Sequence, residues 1–198
     1  MSDRTVSRRR LLVAASGLGF ASLLRSGLLL AQAAELPATP ACADAGAPTP
    51  RQTAGPYFTP DSPLKRDFRA DAAGERLLLT GFVLTRACRP VAGALVDLWH
   101  ADAQGAYDNQ GYRLRGHQFT DPQGRYWFDT IVPGAYPGRT RHYHVRVQAA
   151  GGPILTTQLY LPDEPRNARD SLFDRALLLR FAEIRDGRAG RFDFVLRE

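Results

Sequence analysis

The stretch "HYHVRVQA", residues 142–149, contains two of the chain's four histidines and alternates in the manner of a β-strand. Successive side chains on a strand point to opposite faces, so His142 and His144 share one face and Tyr143 lies on the other. Two histidines on one face of a strand are close enough to bind one metal ion. A pair of histidines that simply fills a sheet face is the alternative at this point.

Similar runs recur along the chain and are separated by turns rich in Gly, Pro and Asp. This spacing is typical of an all-β domain, so we predict an antiparallel β-sandwich or barrel with long loops around the site. The segment "SLFDRALLLRF" (171–181) favours one short helix. The predicted strands cover residues 76–85, 93–101, 125–132, 142–149, 154–161 and 191–198.

Residues 1–33 have the composition of a signal peptide, with an arginine cluster, an apolar stretch and a final "AQA". The paired Arg8 and Arg9 favour the twin-arginine export route, with an ordinary secretory signal or a retained anchor as alternatives. Arg25 interrupts the apolar run and so disfavours a membrane-spanning helix. We therefore expect export to the periplasm or the extracellular space, with no stable membrane span after processing.

The remaining sequence divides into an arm and one domain. Residues 34–52 are rich in Ala and Pro and are predicted to form an irregular arm, whereas residues 53–198 have the length and composition of one globular domain. The sequence contains only Cys42 and Cys88, which are able to pair outside the cytoplasm. A disulfide between them is a hypothesis that the sequence leaves open.

The net charge of +6 does not indicate a nucleic-acid partner. Residues 1–33 contain five arginines and one aspartate, so most of the excess positive charge belongs to the leader. The rest of the sequence has no basic stripe with interleaved aromatic residues, which binding to DNA or RNA would require. We therefore predict no nucleic-acid partner.

The chain offers two kinds of oxygen ligand to complete a site at His142 and His144. A carboxylate would give a two-histidine, one-carboxylate site, but the spacing selects none of the available aspartates. Tyr107 and Tyr136 each follow a Gly-Ala pair at a turn, from which a side chain can be aimed inward. A phenol has a pKa of about 10 and ligates well only to a strong Lewis acid such as Fe³⁺. The four candidate carboxylates are Asp97, Asp102, Asp108 and Asp129.

Longer phrases surround these residues: "LVDLWHADAQGAY" (95–107), "RGHQFTDPQGRYWFDTIVPGAYPGRTRHYHV" (115–145) and "TTQLYLP" (156–162), with "TAGPYF" (53–58) upstream. In these phrases and their order, the sequence resembles the intradiol ring-cleavage dioxygenases, the superfamily of catechol and protocatechuate dioxygenases. Within that superfamily it resembles a short, exported form.

The resemblance implies a β-sandwich that holds one non-haem Fe³⁺ per chain. The implied iron ligands are Tyr107, Tyr136, His142 and His144. Tyr136 and His144 would be axial, and Tyr107 and His142 equatorial beside a hydroxide. Tyr136 would also be the labile ligand, which leaves as a base and takes up a substrate proton.

Two further residues fall on active-site positions of the family. Arg139 matches its arginine and Gln158 its glutamine, and both would stabilise charge that develops on the substrate. Strand alternation would point Arg139 away from His142, so Arg139 reaches the site only if "YPGRT" is still loop. The implied reaction opens the ring of a catechol-type aromatic with O₂ and gives a cis,cis-muconate-type diacid.

Other features of the sequence limit this interpretation. We expect the chain to lack the helical N-terminal segment that catechol 1,2-dioxygenases use to dimerise, which leaves the oligomeric state open. His100 and His117 fall on no ligand position and are expected to be structural, while Tyr57 and Phe58 either line the pocket or pack in a turn. The alternative function is an exported β-sandwich binding module without catalysis.

Overall fold

The computed structural model describes residues 46–197. Within this range the chain forms nine β-strands and two single 3₁₀ turns, Asn167–Arg169 and Arg175–Leu177. The strands are β1 (Arg76–Leu84), β2 (Leu95–Trp99), β3 (Arg115–Phe119), β4 (Arg125–Ile131), β5 (His142–Gln148), β6 (Leu155–Tyr160), β7 (Arg180–Ile184), β8 (Gly187–Arg191) and β9 (Phe194–Val195).

The strands form two sheets, which confirms the predicted β-sandwich. One sheet has four strands in the order β3-β2-β5-β6, all antiparallel. The other has five strands in the order β4-β1-β8-β7, with β9 also paired to β1. Most pairings are antiparallel, but β1 pairs in parallel with both β8 and β9. These two C-terminal strands therefore complete a sheet that begins with the first strand.

The hydrophobic core contains residues from both sheets, and β5 shows how it is built. Tyr143, Val145 and Val147 alternate with the histidines and belong to this core. The buried hydroxyl of Tyr143 donates a hydrogen bond to the carbonyl of Ile131, at 3.0 Å. The core face of β5 thus takes the apolar side chains and one satisfied tyrosine, and the opposite face carries His142 and His144.

That opposite face is covered by residues 49–68, the N-terminal strap. The amide of Gln52 donates to Thr156 of β6 at 2.8 Å, and the amide of Lys65 donates to His117 of β3 at 3.0 Å. Between these points Ser62 donates to Asp97 of β2 at 2.8 Å. The strap begins within the predicted arm, where the amide of Thr49 already donates to Val195 at 2.9 Å. It therefore crosses the whole four-stranded sheet.

Two predictions of local structure are wrong. Residues 171–181 do not form one helix, because the chain makes only the 3₁₀ turn Arg175–Leu177 and then pairs Arg180–Ile184 with β8 as a strand. Residues 191–198 do not form one strand either, because the Asp193 carboxylate accepts from the amide of Phe82 and interrupts the ladder with β1. The prediction also lacked β3, β7 and β8, which are short and contain arginine.

Some predictions fall outside the described residues. The proposed signal peptide at residues 1–33 lies there, as does Cys42 of the proposed Cys42–Cys88 disulfide. Both therefore stay predictions. Among residues 46–197, none of the helical segments has the length and apolar character needed to cross a membrane.

His100 makes the fold sensitive to acid. Its buried ring bonds to the carbonyl of Ala101 and the hydroxyl of Thr130, both at 2.7 Å, and burial lowers its pKa to about 4. Because the unfolded state binds a proton between pH 6.5 and 4 and the folded state does not, this histidine stabilises the fold above pH 6.5 and loses that contribution as the pH falls through this window.

We predict that the unfolding free energy of the metal-free protein decreases by roughly 3 kcal/mol through His100 between pH 6.5 and pH 4. Chemical denaturation at a series of pH values measures this slope in the wild type and in His100→Asn. The variant should show a shallower pH dependence. Equal slopes for the two proteins would contradict the assignment.

Candidate metal centre

His142 and His144 lie at the start of β5, side by side on its outer face. Their Nε2 atoms are 3.1 Å apart, and the two residues are 2% and 1% exposed. Burial lowers the pKa of His142 to about 4, aided by the positive charge of Arg139, and lowers that of His144 well below its usual value. Both rings are therefore neutral near pH 7.

The tautomer of His142 follows from its neighbour. Its Nδ1 lies 2.7 Å from the carbonyl of Thr140, which can only accept, so Nδ1 carries the proton and Nε2 presents a lone pair. The ring of His144 stacks on Trp99 of β2 with the planes only 6° apart. One histidine is thus oriented by a hydrogen bond and the other by an aromatic surface.

Tyr107 approaches the histidines from the loop that follows β2. Asp102 shapes that loop, because its carboxylate accepts from the amides of Gln104 and Ala106, both at 2.9 Å. The hydroxyl of Tyr107 is buried and has no hydrogen-bond partner among residues 46–197. Burying a hydroxyl without a hydrogen-bond partner costs free energy, so the position of Tyr107 indicates that a bound group completes this site.

Tyr136 enters from the loop that follows β4. Its hydroxyl is 3.4 Å from Nε2 of His142, and its ring meets that of Tyr107 edge-on at 5.8 Å. Burial raises the pKa of both phenols above the usual value, although the Arg139 guanidinium partly opposes this at each. The structure therefore brings all four predicted ligands, Tyr107, Tyr136, His142 and His144, into one cluster.

Two glycines allow the tyrosine-bearing loops to pack against each other. A Cβ on Gly134 would lie 2.4 Å from the amide nitrogen of Gly105 and 2.5 Å from the carbonyl oxygen of Ala103. Gly105 has a φ of +89°, and a Cβ there would lie 2.6 Å from the carbonyl of Ala135. Close backbone contact between the two loops thus requires glycine at both positions. This contact fixes the backbone from which the Tyr107 and Tyr136 side chains project.

Arg139 and Gln158 lie beside this cluster and bond to each other through Nη2 and Oε1. Gln158 is opposite His144 in the β5–β6 ladder, and its amide group also donates to Thr53 of the strap at 3.1 Å. Arg139 reaches the site because β5 starts only at His142, so residues 137–140 are loop, as its predicted role requires.

The strap and β3 supply residues that the sequence did not single out clearly. Tyr57 stacks on Tyr107 with ring centroids 4.4 Å apart, which places it in the wall of the site. Arg115 is 1% exposed and holds two segments together through its bonds to the carbonyls of Asp108 and Tyr57. The phrase "GPYF" allowed Tyr57 to be considered as a pocket residue, but nothing in "RGHQF" indicated that Arg115 would be buried beside the site.

The carboxylates that the sequence left open as ligands are occupied elsewhere. Asp97 bonds to Ser62, Asp102 and Asp108 accept from backbone amides, and Asp129 pairs with Arg76 at 2.7 Å. No group of three His, Cys, Asp or Glu side chains able to bind a metal occurs in the part of the chain that the structure describes. A metal at His142 and His144 would therefore need the tyrosines.

The comparison with known proteins agrees with this donor set. A family model described as "Dioxygenase" matches residues 53–198, which is most of the chain. The chain belongs to the intradiol dioxygenase family. Its members among the curated relatives include the hydroxyquinol 1,2-dioxygenase of Rhizobium sp. (strain MTP-10005), which is 32% identical over 161 residues and matches 67% of this chain and 55% of its own length.

Two further intradiol relatives show how far the similarity extends. The protocatechuate 3,4-dioxygenase beta chain of Burkholderia cepacia is 34% identical over 68% of this chain and 72% of its own. The dioxygenase domain of a dioxygenase–carbohydrate-binding fusion from Streptomyces sp. SirexAA-E is 54% identical, with a TM-score of 0.74, over 76% of this chain and 98% of that one. The chain thus spans about half to three quarters of the length of the curated relatives named here.

The donor set of this intradiol family member fits a ferric ion. The site offers an imidazole lone pair at His142, a second neutral imidazole and two phenols. The hydroxyl of Tyr107 is buried without a hydrogen-bond partner among residues 46–197, and Tyr136 is half-buried. The phenols would bind as phenolates, and phenolates buried beside neutral imidazoles need a strongly Lewis-acidic cation to compensate their charge. Fe³⁺ meets this requirement, whereas the missing carboxylate disfavours a two-histidine, one-carboxylate ferrous site.

We predict that Gly134→Ala separates the two tyrosine-bearing loops and decreases the unfolding free energy by about 1–3 kcal/mol, because its methyl group overlaps backbone atoms. Gly152→Ala is the matched control, since a Cβ there would meet its neighbours at 3.4 Å or more. Chemical denaturation should place the control within about 0.5 kcal/mol of wild type. A Gly134→Ala protein as stable as the control would contradict the packing argument.

Proposed function

We propose that this chain is a non-haem Fe(III)-dependent intradiol dioxygenase that cleaves the ring of catechol-type aromatics with O₂ to give cis,cis-muconate-type diacids. One observation carries the proposal: two phenols and two neutral imidazoles converge in a buried cluster without a carboxylate. The names of the relatives support it, because hydroxyquinol, protocatechuate and chlorocatechol are all catechol-type compounds.

In this proposal Tyr107, Tyr136, His142 and His144 hold the ferric ion. A ferric ion held by these residues would supply Lewis acidity, which would activate a catechol-type ring toward O₂. Tyr136 is the base that takes up a catechol proton, and its side chain is half-buried. Tyr107 is more enclosed and serves as the permanent ligand.

Arg139 and Gln158 stabilise negative charge on the substrate. Gln158 is completely buried and is fixed on two sides, by Arg139 and by the carbonyl of Thr53, so its amide group is preorganised. Preorganised donors stabilise developing charge without paying to reorient during the reaction. The guanidinium of Arg139 brings a full positive charge to the same edge of the site.

The strap limits access of water and shapes the entrance. Gly55 has a φ of +67°, and a Cβ there would lie 3.3 Å from the ring of His144, so the strap backbone rests directly on that histidine. Tyr57 adds a flat surface stacked on Tyr107. Planar aromatic walls suit a planar aromatic substrate.

The first experiment is to reconstitute the mature protein with Fe³⁺ and record its visible spectrum before and after anaerobic addition of catechol. We expect about one iron per chain, a phenolate-to-iron charge-transfer band, and a shift of that band when catechol binds. Admitting O₂ should then release a diacid that contains both oxygen atoms, measured by mass spectrometry with ¹⁸O₂. A protein that stays colourless after reconstitution would contradict the proposal and favour a binding module without catalysis.

We predict that Tyr107→Phe loses part of the charge-transfer absorption. Its turnover should fall by more than the roughly 10- to 100-fold that is typical when a group hydrogen-bonded to a metal ligand is lost. Tyr143→Phe is the matched control, because Tyr143 stands between the two histidines but faces the core. The control should keep the wild-type colour per bound iron. Wild-type colour and rate in Tyr107→Phe would exclude Tyr107 as a ligand.

We also propose that residues 1–33 direct export through the twin-arginine route. The support is the sequence alone: paired arginines, an apolar stretch and a small-residue end. We predict that Arg8→Lys combined with Arg9→Lys prevents export, whereas Arg25→Lys does not. Fractionation of cells that express each variant measures the share of processed protein outside the cytoplasm. Normal export of the double variant would rule out this route.

A further inference from the structure

Asp170 is a buried carboxylate beside the site that contacts none of the four proposed metal ligands directly. It follows the 3₁₀ turn Asn167–Arg169, and its side chain is only 1% exposed. Its Oδ2 accepts from Nε of Arg139 and from the amide of Thr140, both at 2.9 Å, while Oδ1 accepts from the amide of Leu172 at 2.9 Å. Both carboxylate oxygens are therefore used.

Each partner of Oδ2 leads to a different part of the site. Arg139 continues through its Nη2 to Gln158, the proposed charge-stabilising pair. Thr140 continues through its carbonyl to Nδ1 of His142, which fixes the tautomer and the ring of that proposed ligand. The Asp170 carboxylate is thus connected by hydrogen bonds both to the charge-stabilising Arg139 and, through Thr140, to the proposed ligand His142.

The backbone of Arg139 is fixed by a turn, in which its amide donates to the carbonyl of Tyr136 at 3.0 Å, but the outer side of that turn is open. Arg139 follows the turn Pro137–Gly138, in which Gly138 has a φ of +78° and no other atom would lie within 4 Å of a Cβ. The outer side of this turn lines a cleft of about 350 Å³, together with Arg166 and Arg169. Without the Asp170 carboxylate, Arg139 would lose its charged partner and keep the neutral oxygen of Gln158, beside the guanidinium groups of Arg166 and Arg169.

We propose that Asp170 is a positioning residue that sets Arg139 against Gln158 and, through Thr140, orients the imidazole of His142. The proposal rests on the proposed function, because it assigns Asp170 a part in the same site. Asparagine at this position has the same shape but only one accepting oxygen, so it cannot serve Arg139, Thr140 and Leu172 together. Asp170→Asn therefore tests the proposal.

The first measurement is the affinity for Fe³⁺ of the metal-free protein, by competition with a chelator. We expect Asp170→Asn to bind Fe³⁺ about tenfold or more weakly, as is typical when a partner behind a metal ligand is lost. Asp193→Asn is the matched control, because Asp193 also accepts from a backbone amide and two arginines but belongs to the other sheet. The control should bind within about twofold of wild type.

The second measurement is a double-mutant cycle on kcat per bound iron, with Arg139→Gln as the other variant. Asp170→Asn should lower kcat by roughly 10- to 100-fold in the wild-type background and by clearly less in Arg139→Gln, because the part of its effect that passes through Arg139 is already lost there and only the route through Thr140 remains. A purely structural role would lower kcat equally in both backgrounds. Asp170→Glu keeps the charge and both acceptors and should recover part of the loss.

Two results would overturn the proposal: Asp170→Asn binding Fe³⁺ as tightly as Asp193→Asn, or equal losses of kcat in both backgrounds. If Asp170→Asn does not accumulate, Asp170→Glu is measured instead. Its longer side chain displaces the carboxylate, so both kcat and Fe³⁺ affinity should fall, and wild-type values of both would contradict the role. A wild-type protein that binds Fe³⁺ but opens no catechol ring would overturn the proposed function instead, and the ferric affinities would still decide the role of Asp170.

Discussion

The four-stranded sheet buries both of its faces, and the rest of the structure around the site depends on this constraint. The inner face packs in the sandwich core, while the outer face carries two histidines that are almost fully buried although they point away from that core. Burying polar groups is costly unless they find partners. The strap, the loop after β2 and the loop after β4 supply the cover and the partners, so a polar site forms where a sandwich would ordinarily meet water.

The partners are arranged so that rigid and adjustable parts are separated. The histidines and Gln158 project from neighbouring strands, whose ladder fixes their spacing. The tyrosines and Arg139 come from loops, which are held by backbone contact at Gly105 and Gly134 and by the carboxylates of Asp102 and Asp170. The strand side chains thus have fixed positions, and the loop side chains pack against them on the outer face of the sheet.

Much of this was predictable from sequence because it depends on local pattern. Alternation in "HYHVRVQA" placed Tyr143 and the histidines on opposite faces, and Pro137–Gly138 allowed Arg139 to leave the strand. The short strands β7 and β8 were not predictable, since neither "RFAEI" nor "GRAGR" has a buried alternating face and each exists only because a partner is present. Asp170 and Arg115 were missed for the same reason. Thr140 and Arg139 are 30 and 31 residues away from Asp170, and Tyr57 is 58 residues away from Arg115.

The parallel pairing of β1 with β8 and β9 has a consequence for how the chain reaches its folded state. The first strand of the domain is completed by residues more than a hundred positions later, and Thr49 in the strap is bonded to Val195 near the other end. Contacts of such long separation form slowly, because the intervening chain must be closed into a loop first. A chain emerging from the ribosome would therefore expose an unpaired edge of β1 until residues 188–195 have also emerged, so this sheet is completed late.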